Sequence, residues 1–418
     1  MINLPVSKSI GARYLVATFF SGTLPADPVF EDSDDLRVLQ NVLLNIYADE
    51  EPIDYGQTPL DVHASGTAMR FVTAVCASTP GADYVVTGTP RLLQRPMTNL
   101  LKVLREAGAE IIIQGPEGTG PYRITGRHLE GGEFVIAGDV SSQFISALML
   151  VAPTWEKGIR LKFTTEMRSF PYVRMTARVM EHFGLQIDLS DREVEIKPAT
   201  YKDPGDYHVE ADWSAAAFFF AAAAYSRQSF VIAGLTNPEE SLQGDSRVTE
   251  YVRPLGVTAR FTEEEVEVRG DSRPDEERYE LNLSQEPDLV PALAVAAAIS
   301  QRKFRFTGVG NLRFKESDRL EAIKQELGKL GYVLHIEEDE LSWDGKTKER
   351  EKEIIIDPHD DHRIAMAFAF TALSIGEIRI KNPDVVEKSF LHFWDELPKT
   401  GLSCHREGDI MVVRKEDK

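Results

Sequence analysis

Apolar residues gather in five Ala-rich runs along this chain, each opened by small polar residues: SGTAMRFVTAVCA (65–77), SSQFISALMLVA (141–152), WSAAAFFFAAAAY (213–225), PDLVPALAVAAAI (287–299) and DDHRIAMAFAFTAL (360–373). Once each run begins, nearly every position is apolar, so the pattern is not a single stripe. That predicts a capped helix buried on almost all sides. The cap-type residues Thr67, Ser142, Ser214, Asp288 and Asp361 are 75, 72, 74 and 73 positions apart. An earlier relative, SKSIGARYLVATFF, starts near Ser9.

A strand-like stretch follows each run: YVVTG (84–88), IRLKFT (159–164), SFVIAG (229–234), KFRFTG (303–308) and EIRIKN (377–382). A more amphipathic helix comes next and stops at Gly108, Gly184, Gly256, Gly331 or Gly401, positions suited to a left-handed helix end. These glycines are 76, 72, 75 and 70 apart. After them come short strands such as AEIII (109–113), LQIDL (185–189) and YVLHI (332–336), and DDLRVLQNVLLNI (34–46) fills the amphipathic slot of the first unit. Two independent periods imply six copies of a β-α-β-α-β unit. Six copies exceed one core, so two groups of three are expected, joined near 205–212 where Pro and Gly punctuate DPGDYHVEAD.

Bulk properties narrow the function. The 418 residues are 42% hydrophobic and 27% charged, as in a soluble globular protein. No apolar run reaches 18 residues and the N-terminus shows no signal peptide, so no membrane association is expected and the cytoplasm is the simplest location. The two cysteines, Cys76 and Cys404, form no metal or disulfide framework. The formal charge of −20 argues against nucleic acid as a partner, yet a local cluster of Lys and Arg can still dominate a cleft.

Such clusters stand at the helix starts, where free N–H groups and the helix dipole favour anions. SKSIGAR supplies Lys8, Ser9 and Arg13; SGTAMR supplies Gly66 and Arg70; LLQRPM supplies Arg95; VSSQF supplies Ser141, Ser142 and Gln143; EMRSFPY supplies Arg168, Ser169 and Tyr172. EPD adds Glu286 and Asp288, and DDHR adds Asp361, His362 and Arg363. NLRFKESDRL (311–320) places Lys315, Glu316, Asp318 and Arg319 within five positions. Alone, each has a plain reading: Ser141 and Ser142 as an N-cap, KESDR as a wet turn, AAAFFFAAAA as core. His359 and His362 lack the partners of a metal site, and neither GxSxG nor GxxxxGK[ST] occurs. Together, repeats that each place cations and small polar groups at one helix end suit a cleft for a small, multiply anionic substrate.

LPVSKSIGAR, SDDLR, SGTAMR, PRLLQRPM, VSSQF, PDLVPAL, NLRFKESDRL, DDHRIAMAF and EKSF resemble, in order and spacing, the 5-enolpyruvylshikimate-3-phosphate synthase family over almost the whole chain. The resemblance implies an α/β, two-domain enolpyruvyl-transferase-like fold. Each domain has three βαβαββ repeats with buried helices, and the active site lies in the interdomain cleft. It assigns residues 7–210 to one lobe and 211–418 with 1–6 to the other. It implies transfer of the enolpyruvyl group of phosphoenolpyruvate to the 5-hydroxyl of shikimate 3-phosphate, with release of phosphate, no cofactor and no covalent enzyme intermediate. A monomer is expected, and the family is inhibited by glyphosate at the phosphoenolpyruvate site.

By the same resemblance Lys8, Asp288 and Glu316 are the catalytic residues. Ser9, Arg13, Ser141, Ser142, Gln143, Ser169, Asn311 and Lys315 hold shikimate 3-phosphate. Lys8, Gly66, Arg95, Gln143, Arg319, Arg363 and Lys388 hold phosphoenolpyruvate. Three features depart from the family pattern. Ala64 stands where the family has Asn, and Gly11 replaces the second serine of KSxSxR. The chain also starts so close to its first motif that an early strand of the second domain is expected to be missing or unusual. Two other readings remain: a degenerate anion-binding or regulatory relative without turnover, and the enolpyruvyl transferase acting on UDP-N-acetylglucosamine. The second usually carries a reactive Cys in the loop that here reads TGTPRLLQRPM.

Overall fold

The computed structural model describes residues 1–48, 59–116, 119–270 and 278–416. The chain forms two units: Lys8–Val209, and Met1–Ser7 together with Glu210–Lys418.

In the Lys8–Val209 unit, helices α1 (Lys8–Ser21) and α2 (Asp34–Ala48) come first. Two copies of one pattern follow: β1 (Pro59–Asp61), α3 (Gly66–Ser78), β2 (Asp83–Thr87), α4 (Thr98–Glu106), β3 (Glu110–Ile113) and β4 (Tyr122–Thr125) make the first. The second is β5 (Gly132–Ile136), α5 (Ser142–Val151), β6 (Ile159–Phe163), α6 (Phe170–His182), β7 (Ile187–Leu189) and β8 (Glu193–Ile196). The sheets run β1-β2-β4-β3 and β5-β6-β8-β7. In each, the first strand is parallel to the second and the last two pair antiparallel.

The other unit repeats this order. It contains α7 (Trp213–Ser226), β9 (Ser229–Ala233), β10 (Val257–Phe261) and β11 (Glu265–Gly270). Next come β12 (Arg278–Asn282), α8 (Val290–Ile299), β13 (Lys303–Thr307), α9 (Arg319–Lys329), β14 (His335–Ile336) and β15 (Glu340–Trp343). Last are β16 (Ile355–Ile356), α10 (His362–Ala369), β17 (Glu377–Lys381), β18 (Leu402–Glu407) and β19 (Ile410–Lys415). Its two four-stranded sheets run β12-β13-β15-β14 and β16-β17-β19-β18.

The Ala-rich helices are the cores. Phe218, Phe219 and Phe220 on α7 are all at or below 2% exposure, and α8 is buried from Val290 to Ile299. Three adjacent phenylalanines cannot share one face of a helix, so α7 must be enclosed. Each such side chain contributes about 1.5–3 kcal/mol on burial. Strands alternate as one-faced sheets should: Phe304 and Phe306 point inward while Lys303 and Arg305 face solvent. All five marker glycines have positive φ, between 79° and 108°.

Three expectations need correction. The side-chain caps sit earlier than the spacing suggested. Ser65 accepts from Ala68 N, Ser141 from Gln143 N, and Asp212 from Ala215 N. Asp288 lies in a 3-10 turn, Pro287–Leu289, and only Asp361 caps as expected. Thr67 and Ser214 are thereby free for other bonds. Second, the amphipathic helix is cut to one turn in two copies, Val248–Tyr251 and Phe393–Glu396. Pro254 and Pro398 follow, each the second residue of a 3-10 turn, Arg253–Leu255 and Leu397–Thr400, since proline has no N–H to continue the α-helical ladder. Third, the first copy shows its two helices but no strand among the described residues. The early strand is unusual, as expected, being reduced to isolated bridges: Ile2 pairs parallel with Ile232, and Val6 pairs with Ala211. Ile2 takes the first-strand place in the three-stranded β10-β11-β9 sheet.

Among the described residues no helix is long and apolar enough to cross a membrane. No group of three or more His, Cys, Asp or Glu among them is placed to hold a metal ion.

Candidate active site

The candidate residues fall into two sets, one on each unit. In the Lys8–Val209 unit they gather at the N-termini of α1, α3, α5 and α6. Lys8 opens α1, and its Nζ lies 2.9 Å from Asp35 Oδ2 at the start of α2. Arg13, one turn on, is 2% exposed and bonds only neutral groups in its recorded contacts. It donates to Ser9 O at 2.6 Å, Thr176 Oγ1 at 2.7 Å, Ser146 Oγ at 3.0 Å and Tyr172 O at 3.2 Å. Burial lowers its pKa to about 10. Arg13 thus ties α1 to α5 and α6 and fixes Ser9 from behind.

Gly66 is the first residue of α3. A Cβ there would lie 2.5 Å from Arg95 Nη1 and 3.1 Å from Arg70 Nη1. Arg70 donates to Gly66 O at 2.9 Å, so the helix start and the Arg95 loop meet over a bare backbone. Gln143 donates its amide to Thr67 Oγ1 at 2.9 Å, joining α5 to α3. Its Oε1 is buried with no hydrogen-bond partner. Ser141 caps α5 and Ser142 begins it. Ser169, at the N-cap position of α6, has φ 55° and makes no cap bond, which leaves its hydroxyl for other use.

The second set is a single ionic network. Arg319, 1% exposed at the first turn of α9, donates to Asp361 Oδ2 at 2.7 Å, Asp288 Oδ1 at 2.8 Å and Glu316 Oε2 at 2.8 Å. Asp288 Oδ2 also accepts from Arg363 at 2.9 Å, and Lys315 Nζ stands 3.6 Å from Oδ1. Lys388 Nζ stands 3.8 Å from Glu316 Oε1. Asp361 receives Ser317 Oγ at 3.1 Å and the Arg363 N–H at 3.0 Å. Burial opposes ionisation of Asp288, but Arg363, Lys315 and Arg319 outweigh it and hold its carboxyl well below the usual range. Arg319 is likewise pushed up: burial works against its charge, and Asp361, Glu316 and Asp288 overcome it. The Oδ1 of Asn311 is buried and has no hydrogen-bond partner.

Asp288, Lys315, Glu316, Arg319, Arg363 and Lys388 are therefore brought together. On the other unit the contacts are Ser9 with Arg13, Gly66 with Arg95, and Gln143 with Thr67. Three acidic groups had no site role assigned to them from the sequence. Asp35 holds Lys8. Asp361 organises Arg319. Asp245 is buried and accepts from Ser214 Oγ. Its pKa rises to about 7, through burial first and Asp288 next. Asp361 could have been chosen from DDHR; nothing in QGDSR sets Asp245 apart.

The whole chain also has known relatives. A family model described as EPSP synthase (3-phosphoshikimate 1-carboxyvinyltransferase) matches residues 36–397. A protein of Bacteroides fragilis named 3-phosphoshikimate 1-carboxyvinyltransferase is 40% identical over 409 residues, 96% of this chain and 95% of that one. One of the same name from Methanoculleus marisnigri is 37% identical over 83% of this chain and 80% of its own. A solved EPSP synthase structure from Acinetobacter baumannii superposes with a TM-score of 0.70, covering 98% of this chain and 97% of that one at 24% identity, a likeness of fold.

Proposed function

The chain belongs to the EPSP synthase family, and from that premise we propose that its two sets of site residues divide one reaction between them. The enzyme transfers the enolpyruvyl group of phosphoenolpyruvate to the 5-hydroxyl of shikimate 3-phosphate and releases phosphate, a step of the shikimate pathway towards aromatic amino acids.

In this reading Ser9, Arg13, Ser141, Ser142, Gln143 and Ser169 hold shikimate 3-phosphate on one unit, with Asn311 and Lys315 from the other. Lys8, Gly66, Arg95, Gln143, Arg319, Arg363 and Lys388 hold phosphoenolpyruvate. Helix starts with serine hydroxyls and free N–H groups suit a phosphate. The buried, unpartnered amide oxygens of Gln143 and Asn311 suit the ring hydroxyls of shikimate 3-phosphate.

The chemistry forms a C–O bond between the 5-oxygen and C2 of phosphoenolpyruvate while C3 gains a proton. Loss of a proton from C3 with departure of phosphate then restores the double bond. Asp288 takes the hydroxyl proton, and Glu316 with Lys8 serves C3. The observation that carries this reading is the triple hold on Asp288 by Arg319, Arg363 and Lys315. In the free enzyme those cations make Asp288 a poor base. An incoming carboxylate and phosphate compete for the same guanidinium groups, so Asp288 gains basicity when phosphoenolpyruvate is bound.

The test is phosphate release from phosphoenolpyruvate by the intact enzyme. Release is expected only with shikimate 3-phosphate present. No release by folded enzyme at saturating substrates would favour the anion-binding reading instead. Glyphosate is expected to inhibit, since Gly66 keeps the Arg95 guanidinium in place. We read the enzyme as a cytoplasmic monomer. Few large apolar residues among those described are exposed, namely Met1, Val29, Ile112, Val135 and Phe314, which gives little material for an apolar subunit interface. Size-exclusion chromatography at the monomer mass checks the second point.

A further inference from the structure

His359 and His362 stood out in the sequence, and the proposed mechanism leaves His359 unused. His359 lies in the loop 357–361 that leads into α10, two residues before Asp361 and four before Arg363. Its Nε2 is 3.1 Å from Glu326 Oε1. Glu326 lies on α9, two turns beyond Arg319, and is 1% exposed. It accepts Lys329 Nζ at 2.6 Å and the Asp357 N–H at 3.1 Å as well. Helix α9 therefore grips this loop twice: at Glu326 through Asp357 and His359, and at Arg319 through Asp361.

The loop needs such a grip. His359 and Asp360 have φ 53° and 57°, two successive non-glycine residues in the left-handed region. His and Asp are among the residues that enter it most readily, but a consecutive pair must be held by its surroundings. Asn382 Nδ2 holds Asp360 Oδ1 at 2.9 Å from the β17 side. The His359 ring holds the α9 side.

We propose that His359 is a positioning residue: its bond to Glu326 seats the 357–361 loop against α9 and so sets the aim of Arg363 at its anionic substrate group. This rests on the reading of Arg363 as a phosphoenolpyruvate ligand. The bond is strongest when the imidazole is charged. Glu326 raises the His359 pKa above its ordinary value, first by the hydrogen bond, with Asp357 adding to it and burial and Lys329 opposing. Lys381 of β17 stands 3.8 Å from Asp357 Oδ2, on the far side of that carboxylate. A raised folded pKa means that the bond is complete below the unfolded value of about 6.5 and is lost as pH rises through the higher folded value.

The experiment follows the KM for phosphoenolpyruvate from pH 6 to 9 in the full-length enzyme and in His359→Asn. Asparagine tolerates the same backbone but is too short to reach Glu326. In the wild type, KM should rise with pH through the His359 titration. In His359→Asn it should be about fivefold higher at low pH, the scale of one partly exposed charge-assisted hydrogen bond. That variant should also have lost the wild-type pH step, with kcat little changed. Wild-type KM and pH profile in His359→Asn would overturn the proposal. The imidazole proton resonance of the wild type gives a variant-free check: titration at or below pH 6.5 would also overturn it. Arg363→Lys is the control. If it leaves KM unchanged, the ligand reading of Arg363 fails. If it raises KM while His359→Asn behaves as wild type, only the positioning role fails.

Discussion

The two units use one repeated fold and present opposite chemistry at equivalent helix ends. In the Lys8–Val209 unit the buried helices begin with Lys8 and Ser9, Gly66 and Thr67, and Ser141 and Ser142. Among these, only Lys8 has a recorded carboxylate partner, Asp35 on the neighbouring helix. In the other unit the corresponding starts carry Asp212, Asp288 and Asp361, with Arg319 and Arg363 between the last two. A helix start lined by hydroxyls and N–H groups attracts a phosphate. One lined by carboxylates repels it until cations are added. The first arrangement is suited to holding anions. The second holds a carboxylate, Asp288, whose basicity in the proposed reading depends on which anion its arginines are holding.

The contrast can be broken most severely at Arg319. Arg319→Met leaves Asp361, fully buried, without its main cation, and Asp288 with one fewer. Removing one partner from a buried ionic group costs about 3–5 kcal/mol. Urea denaturation should show a loss of that order. A loss under about 1 kcal/mol would mean the network does not organise this unit.

A smaller effect, on rate alone, is expected at Glu316. Glu316→Gln keeps the shape and should lower turnover by about a hundredfold, the lower range of acid–base catalysis. Near-normal turnover would remove it from the mechanism. On the holding side, Gly66→Ala puts a methyl 2.5 Å from the Arg95 guanidinium. That guanidinium is the far end of a flexible chain, so it swings away at little cost in stability. The KM for phosphoenolpyruvate should rise about tenfold, for loss of one charge-assisted contact, while the melting temperature stays put. An unchanged KM would separate Arg95 from substrate.

Acid separates the units more gently. Asp288 is depressed in the folded state, so its contribution to stability is complete above the unfolded value of about 3.9 and disappears as pH falls through the lower folded value. Below about pH 4, Asp288→Asn should therefore show a flatter decline of stability than wild type. Equal slopes in the two proteins would contradict the depressed value. The smallest change is expected far from the helix ends. Arg160 and Glu193 pair across β6 and β8 with side chains 41% and 34% exposed. Arg160→Ala should alter stability by no more than about 0.5 kcal/mol, since such pairs are screened by water.

Much of the frame was legible because it depends on local pattern. Ala-rich runs with no polar stripe can only be buried helices, and the five glycines mark left-handed ends wherever they recur. What the pattern could not reveal depends on contacts between distant residues. Which polar residue caps a helix is decided by backbone angles two residues either way, so Thr67 and Ser214 looked like caps and are not. Pro254 and Pro398 were in plain sight, yet the period outweighed them and intact helices were expected. The link from Asp361 to Arg319 spans 42 positions, and that from Glu326 to His359 spans 33. No spacing rule connects such pairs. Motif likeness picked out Arg319, Lys315 and Glu316, while the bond from Arg319 to Asp361 needed the fold.

The division of labour is tested most directly by Asp288→Asn, with two measurements on one preparation: binding of shikimate 3-phosphate by calorimetry, and phosphate release from phosphoenolpyruvate. The account predicts binding within a few fold of wild type and release lowered by at least about a hundredfold. If binding and release instead fall together, or release persists, then holding and proton transfer are not separate tasks and the central claim fails.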